Sequence, residues 1–317
     1  MQAFLKLWYR YPTYNYSFYL FSLLFFSSLF IYKYKKKVTK RMTVAEPKYR
    51  RPLNLEQVAV LDWLYKVRFS NSKQIAKYLL KPNQKTIQNK LQILEERGFI
   101  SKHYNKSYKL AGRPAEYFLT PKGARQLPAD STNEWAIKAL YKNKTVSPEF
   151  ITHCLNVADT VLTLQAIYDD KLRSFASSQL TPYEYFPTWK PDLFLSFKGK
   201  KTGSGGTGSP RRYFLDVWDD TKPFFVSVRK IRNYIHYATD GDWPYGHGEL
   251  PTVLAICPDE RTQTKLAKQI RRAVEEEDMW DEIVFATITR EQLEKATTTS
   301  RLWQKIDEEQ EIDLVKL

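Results

Sequence analysis

The sequence predicts a mixed α/β protein in two parts: a small helical module that ends in a β-hairpin, then a larger sandwich of helices and strands. Three observations carry this. Apolar residues between 55 and 97 recur at helical spacing in three short runs, two β-prone runs follow at 99–104 and 115–120, and helical and strand-like segments alternate beyond 148. With 317 residues, 43% hydrophobic and 27% charged, the chain is long enough for two domains with cores of their own. A disordered tail and a disulfide-stapled mini-protein are excluded.

The first run, with Leu55, Val58, Ala59, Leu61, Trp63 and Leu64 behind Asn54 as N-cap, gives a helix over about 54–67. Phe69, Ser70 and Asn71 read as a turn. Ser72 then caps a second helix reaching Leu80, with Ile75, Ala76 and Leu79 inward, and Pro82-Asn83 breaks the chain. A third helix over about 84–97 buries Ile87, Leu91 and Leu94 and stops at Gly98, where a left-handed backbone suits glycine. The runs FISKHY and AEYFLT, joined by the basic loop NKSYKLAGRP, make the hairpin, and TPKG starts another helix.

Two short helices, a turn, a longer helix and a hairpin are the helix-turn-helix pattern with a wing. The strings LEERGFI and GRPAEYFLTPKG resemble winged-helix DNA-binding domains over about 75 residues. On such a fold the third helix enters the major groove. Gln84, Lys85, Gln88, Asn89 and Gln92 face outward on it, with Lys90 near the edge; Lys106, Lys109 and Arg113 in the wing are placed to touch backbone or minor groove.

Charge points to a polyanion or an anionic membrane surface as the partner of this part of the chain. The net charge of +15 divides as +8 for residues 1–41, +10 for 42–130 and −3 for 131–317, so the whole excess lies ahead of the sandwich. The expected partner is double-stranded DNA.

Residues 1–41 admit two readings. The 22 residues between Arg10 and Lys33 are uncharged, and 14–34 can span a bilayer as a helix. Lys33, Lys35, Lys36, Lys37, Lys40 and Arg41 follow it, against Lys6 and Arg10 before, which puts the C-terminal side in the cytoplasm. No small-residue cleavage site follows. In the other reading the native protein starts at Met42 and is cytoplasmic.

In the second part, a long amphipathic helix runs through His153, Leu155, Val157, Ala158, Val161, Leu162, Leu164 and Ile167. Strands follow at 193–197 and 213–218 across a Gly/Ser loop, then a helix around 226–238, a strand at 251–257, a helix at 259–275 and a strand at 282–289. Asp192 opens one strand and Asp216 lies in the middle of the next, 24 positions on, so two carboxylates can meet at one sheet edge and hold Mg²⁺ for phosphodiester cleavage. The competing reading makes Asp192 a strand cap and Asp216, Asp219 and Asp220 solvent-facing acids.

This segment looks like the PD-(D/E)xK restriction-endonuclease frame, whose third signature residue is a lysine two positions after the second acid. Trp218 stands there instead; Lys222, Arg229 and Lys230 are the candidates for a migrated replacement. The winged helix, the His153 helix, PDLFLSF, RYFLDVWDD and VRKIRNYIHYA together resemble the replication-relaxation family of plasmid and mobile-element proteins, over roughly 50–290. The resemblance implies a DNA-binding accessory or initiator-type factor in plasmid replication or conjugative mobilisation. The chain is expected to divide into 1–41, a winged helix at 50–130, a nuclease-like α/β domain at 148–295 and a C-terminal tail at 296–317.

Other chemistry is sparse. Cys154 and Cys257 lie 103 positions apart without a CxxC or Cys/His partner, which leaves no zinc site or disulfide framework and points to a reducing compartment. His103, His153, His236 and His247 lack metal-ligand spacing, and His153 and His236 read as polar residues packed on helices. Trp243 to Gly248 reads as a surface loop. GxxxxGK, GxGxxG and GxSxG motifs are absent, which argues against an ATPase, a dinucleotide enzyme or a serine hydrolase. The leading expectation is a sequence-specific DNA-binding protein with an inactive nuclease-like scaffold and no cofactor. The alternatives are a Mg²⁺-dependent endonuclease and a membrane-tethered adaptor for DNA or a replication or mobilisation protein.

Overall fold

A computed structural model of the chain describes residues 51–128, 132, 134–198, 210–219, 223–241, 243, 250–297, 302–307, 311–312 and 314. The candidate membrane segment and the alternative start at Met42 lie outside them, as do Asp220, Lys222, the Gly/Ser loop and most of the Trp243 to Gly248 loop.

The protein is mixed α/β, with helices and two sheets. Helix α1 (Leu55–Val67) begins at Asn54, whose side chain accepts from Gln57 N while Gln57 Oε1 accepts from Asn54 N. Its inner face buries Val60, Leu61, Trp63, Leu64 and Val67, whereas Leu55, expected on that face, is exposed. Phe69–Asn71, expected as a turn, forms strand β1 because it pairs with the hairpin's second strand. Asn71, rather than Ser72, caps α2 (Ser72–Tyr78), since its side chain reaches the amides of Lys73 and Gln74. Helix α3 (Gln84–Glu96) starts at Asn83 and buries Ile87, Leu91 and Leu94; Gly98 follows at φ +71.

Strands β2 (Ile100–His103) and β3 (Glu116–Leu119) form the hairpin, and the three-stranded order is β1-β3-β2. The connection, expected as a loop, holds one short helix, α4 (Lys106–Leu110), capped by Asn105. After α5 (Pro121–Ala124) and α6 (Glu134–Ala139), helix α7 (Pro148–Tyr168) crosses behind the larger sheet. Among the described residues, the stretch Pro148–Lys171 alone is apolar and long enough to cross a membrane, and half of it is buried inside the protein.

The larger sheet contains β4 (Leu172–Ala176), β5 (Leu193–Phe197), β6 (Arg211–Val217), β7 (Thr252–Cys257), β8 (Phe285–Thr289), β9 (Trp303–Lys305) and β10 (Glu311–Ile312). Its order is β10-β9-β8-β7-β6-β5-β4, parallel at β6-β7-β8 and antiparallel outward. The last two strands arise within the expected C-terminal tail because Trp303 and Leu314 are fully buried against the sheet core. A short helix, α8 (Ser177–Leu180), follows β4, while α9 (Phe224–Asp240), α10 (Glu260–Glu276) and α11 (Arg290–Glu294) complete the fold.

Side-chain alternation sorts the core into two layers. Leu193, Leu195, Tyr213, Leu215 and Val217 face α7 and α1, and their cluster runs without a break into Leu61, Leu64 and Leu91 of the first module. Phe214, Val253, Ala255 and Cys257 face α9 and α10 on the other side. Residues Leu53–Leu317 form one compact unit.

Candidate functional site

On α3 the period of 3.6 turns Gln84, Lys85, Gln88, Asn89 and Gln92 outward, and all five are exposed. Gln84, Gln88 and Gln92 form one stripe along a cleft of about 750 Å³; across it stand Lys102, Tyr104, Gly112 and Arg113. Lys85 and Asn89 lie on the adjoining stripe. Lys90 is turned away from this face and pairs with Glu56 at 2.6 Å.

Lys106 and Lys109 are exposed on α4. Arg113 is exposed but engaged: its guanidinium bonds Glu116 at 2.9 Å and lies 4.7 Å from the centre of the Tyr108 ring. Glu116 is buried and also accepts from Tyr108 Oη at 2.8 Å, so Arg113 ties the hairpin connection together as well as facing the cleft. Sequence reasoning missed Lys73, Lys102 and Tyr104 on the cleft wall, and the acids Glu95 and Glu96 at its end. The β2 alternation, which points Lys102 and Tyr104 the same way, was the available signal.

The second cluster sits where β5 begins and β6 ends. Asp216 follows Leu215 on the α9 face and is only 2% exposed. Its Oδ1 accepts from Lys230 Nζ at 2.5 Å and from Asp192 N at 3.0 Å, and its Oδ2 from Tyr234 Oη at 2.9 Å. Asp192 Oδ2 accepts from Val217 N at 2.9 Å, and its Oδ1 lies 3.0 Å from His153 Nε2. The other ring nitrogen, His153 Nδ1, bonds Asp219, which also takes Asn156 Nδ2 at 2.8 Å and has Arg290 at 3.8 Å.

Asp192 and Asp216 therefore do meet. The reading of Asp216 and Asp219 as solvent-facing acids is overturned: Asp216 is enclosed between the sheet and α9, and Asp219 folds back onto α7. Of the candidate replacement cations, Lys230 reaches Asp216, Arg229 points to solvent, and Lys222 lies outside the described residues. Trp218 packs against the apolar layer under α9. His153 is a bridge between carboxylates rather than a packed polar residue, and His236 is exposed on α9.

Electrostatics follow from the burial of these groups. Burial pushes His153 down, but its bonds to Asp192 and Asp219 outweigh this and hold it at about 9, so it is an imidazolium at neutral pH. Burial likewise disfavours the Lys230 ammonium, yet Asp216 and Asp192 raise its pKa above the ordinary lysine value. The two carboxylates are driven apart. Burial raises Asp216, against the pull of Lys230 and with the push of Asp192; burial also opposes the ionised Asp192, but Lys230, His153 and the Val217 amide together bring it below the usual range.

A divalent cation does not fit this donor set. All four oxygens of Asp192 and Asp216 already accept from protein donors, and Lys230, His153 and Arg290 balance the charge of Asp192, Asp216 and Asp219. Mg²⁺ prefers one or two carboxylates with room for several waters, and it would have to displace Lys230 and His153. Among the described residues no group of three or more His, Cys, Asp and Glu side chains is arranged to hold a metal.

The fold and sites define a mixed α/β protein with an exposed polar helix beside a basic hairpin and a charge-closed carboxylate cluster on a larger sheet. The replication-relaxation family profile matches residues 61–253, more than half of the chain, and the protein belongs to that family. Two solved structures, a double mutant and a single mutant of Lactococcus lactis ZitR, are each 18% identical over 43% of this chain and 95% of that chain, with TM-scores of 0.22 and 0.21. No curated protein matches the chain.

Proposed function

We propose that this protein is a DNA-binding accessory or initiator-type factor of plasmid replication or mobilisation. Residues 50–130 act as a winged helix-turn-helix, and 148–295 as a restriction-endonuclease-like scaffold without cleavage activity. The observation that carries the DNA reading is the exposed Gln84, Lys85, Gln88, Asn89 and Gln92 face of α3, standing beside a hairpin with Lys102, Lys106, Lys109 and Arg113. Glutamine and asparagine suit the paired donor and acceptor of adenine in the major groove, and lysine suits guanine or phosphate. Family membership supports the plasmid context, and the reading places the protein in the cytoplasm or at the cytoplasmic face of the membrane. Selection of bound sequences from a random duplex pool tests it. Recovery of one shared motif by the wild type, lost in the Lys85, Gln88 and Asn89 triple alanine variant, is the expected result; a pool without enrichment refutes sequence-specific reading.

A Mg²⁺-dependent endonuclease is the second reading, favoured by the contact of Lys230 with Asp216, which supplies the cation that Trp218 does not. It requires the metal to break the ion pairs that close the cluster. Incubation with supercoiled, linear and branched DNA in Mg²⁺ or Mn²⁺ decides between them: intact DNA supports the scaffold, and cleavage abolished by both Asp192→Ala and Asp216→Ala establishes the nuclease.

A further inference from the structure

A cavity of about 310 Å³ opens beside the C-terminal turn of α1, between α6, α7 and α8, and its far wall is His153 and Asp192. Such a volume lies at the lower end of the range for small-molecule sites. Two cations line it. Lys66 Nζ donates to Ser174 Oγ at 2.8 Å and Arg68 to Asn143 Oδ1 at 2.7 Å, both neutral acceptors, and neither cation has a carboxylate within ion-pair distance among the described residues. Aromatic surface completes the lining: Phe150, with the Arg68 guanidinium 4.6 Å from its ring centre, Tyr65, and Trp135 at 77% exposure. Ser177 and Thr181 add hydroxyls.

Two features show that the cations are held here at a cost. Arg68 sits at φ +67, a left-handed backbone that favours glycine and strains any other residue. Burial, only partly offset by Asp62, pushes Lys66 down to about 8. An anion in the cavity restores what the buried ammonium lacks. His153 is engaged by Asp192 and Asp219, so Lys66 and Arg68 are the lining cations on neutral partners; they favour a negative ligand, and the aromatic faces favour one with a planar apolar body.

We propose that this cavity binds a nucleoside 5′-monophosphate unit, its phosphate on Lys66 and Arg68 and its base against Trp135 and Phe150. The unit is either a free nucleotide or one nucleotide of a DNA strand. The cavity is separate from the α3 cleft, so the proposal stands apart from duplex reading by α3.

The full-length chain is titrated calorimetrically with thymidine 5′-monophosphate, thymidine, inorganic phosphate and a 5′-phosphorylated single-stranded oligothymidylate. The monophosphate unit, free or in the strand, is expected to bind about tenfold or more tighter than thymidine or phosphate alone, and Trp135→Ala to lose about tenfold. Arg68→Gly removes the guanidinium, and the relieved backbone offsets the lost contacts to Asn143 and Phe150, so it is expected to stay folded, as its melting curve will show, and to lose about tenfold. Saturable binding of the free nucleotide assigns a soluble ligand; binding of the strand alone assigns a DNA nucleotide; both support the proposal. Alanine at Lys106 and Lys109 is expected to weaken duplex binding and leave nucleotide binding unchanged, which separates this site from the α3 surface. Absence of saturable binding by nucleotide and strand at millimolar concentration overturns the proposal, as does binding unaltered in Arg68→Gly and Trp135→Ala.

Discussion

Lys230 Nζ lies 2.5 Å from Asp216 Oδ1, joining the second turn of α9 to the end of β6 across fourteen positions of sequence. Asp216 is buried on every side, so removing its counter-charge leaves a carboxylate that water cannot solvate. Lys230→Met is expected to cost about 3–5 kcal/mol in urea unfolding, and adding Asp216→Asn in the same chain to recover a substantial part of it. Equal urea midpoints for wild type and Lys230→Met would show that the pair does not hold α9 to the sheet.

His153 gives a pH signature. Its pKa rises from an ordinary 6.5 to about 9 on folding, so the folded state binds its proton more tightly. The stability it adds is whole below about pH 6.5 and is lost as pH climbs toward 9, up to roughly 3 kcal/mol in all. Lys66, pushed down to about 8, acts in the opposite sense above that pH. The clean window is therefore pH 6.5 to 8, where the melting temperature is expected to fall in the wild type and to change less in His153→Gln. Parallel curves for the two proteins contradict this assignment.

Contacts to phosphate and to base edges separate by salt. Replacing Lys106 and Lys109 with alanine should weaken binding to all duplexes alike and reduce the salt slope by about one per lysine, whereas replacing Gln88 and Asn89 should flatten sequence preference. Arg113→Ala is expected to do more than either lysine change, because buried Glu116 loses its guanidinium partner. Binding isotherms at several salt concentrations resolve the three.

Gly123 tests the packing beneath the hairpin. A Cβ there meets Phe99 O at 2.0 Å and Leu119 Cδ1 at 2.8 Å, and backbone cannot yield as a side-chain end can. Gly123→Ala is expected to cost about 1–3 kcal/mol or more by overpacking. A thermal midpoint within a degree of wild type would falsify the close approach.

Helix α3 was legible because Ile87, Leu91 and Leu94 sit at one helical spacing between the Pro82-Asn83 break and a glycine, so the outward residues follow by subtraction. The meeting of Asp192 with Asp216 was legible from their places on consecutive strands, although Asp216 stands at the end of its strand rather than in the middle. Lys230 could be named but not placed, since which residue of α9 overlies Asp216 depends on how the helix is set on the sheet. Its spacing of four from buried Tyr234 was the local hint. His153 carried a similar one, a polar residue in line with buried Val157 and Val161 on α7. Asp219 had no local signal at all, because its role comes from two groups on a helix more than sixty positions earlier. Strand β1 was missed for the same reason: three residues become a strand only when β3 arrives beside them.

If α3 reads duplex DNA as proposed, the unbroken core from Leu91 under α3 to Leu215 beside the carboxylate cluster makes the protein a ruler. A duplex gripped there would present its neighbouring stretches to the rest of the protein at a set distance and helical phase. Inserting five base pairs, about half a turn of B-DNA, beside the recognised sequence would carry those stretches to the opposite side of the double helix without altering a single base read by α3. Any event coupled to binding is thereby tied to the count of base pairs as well as to their identity.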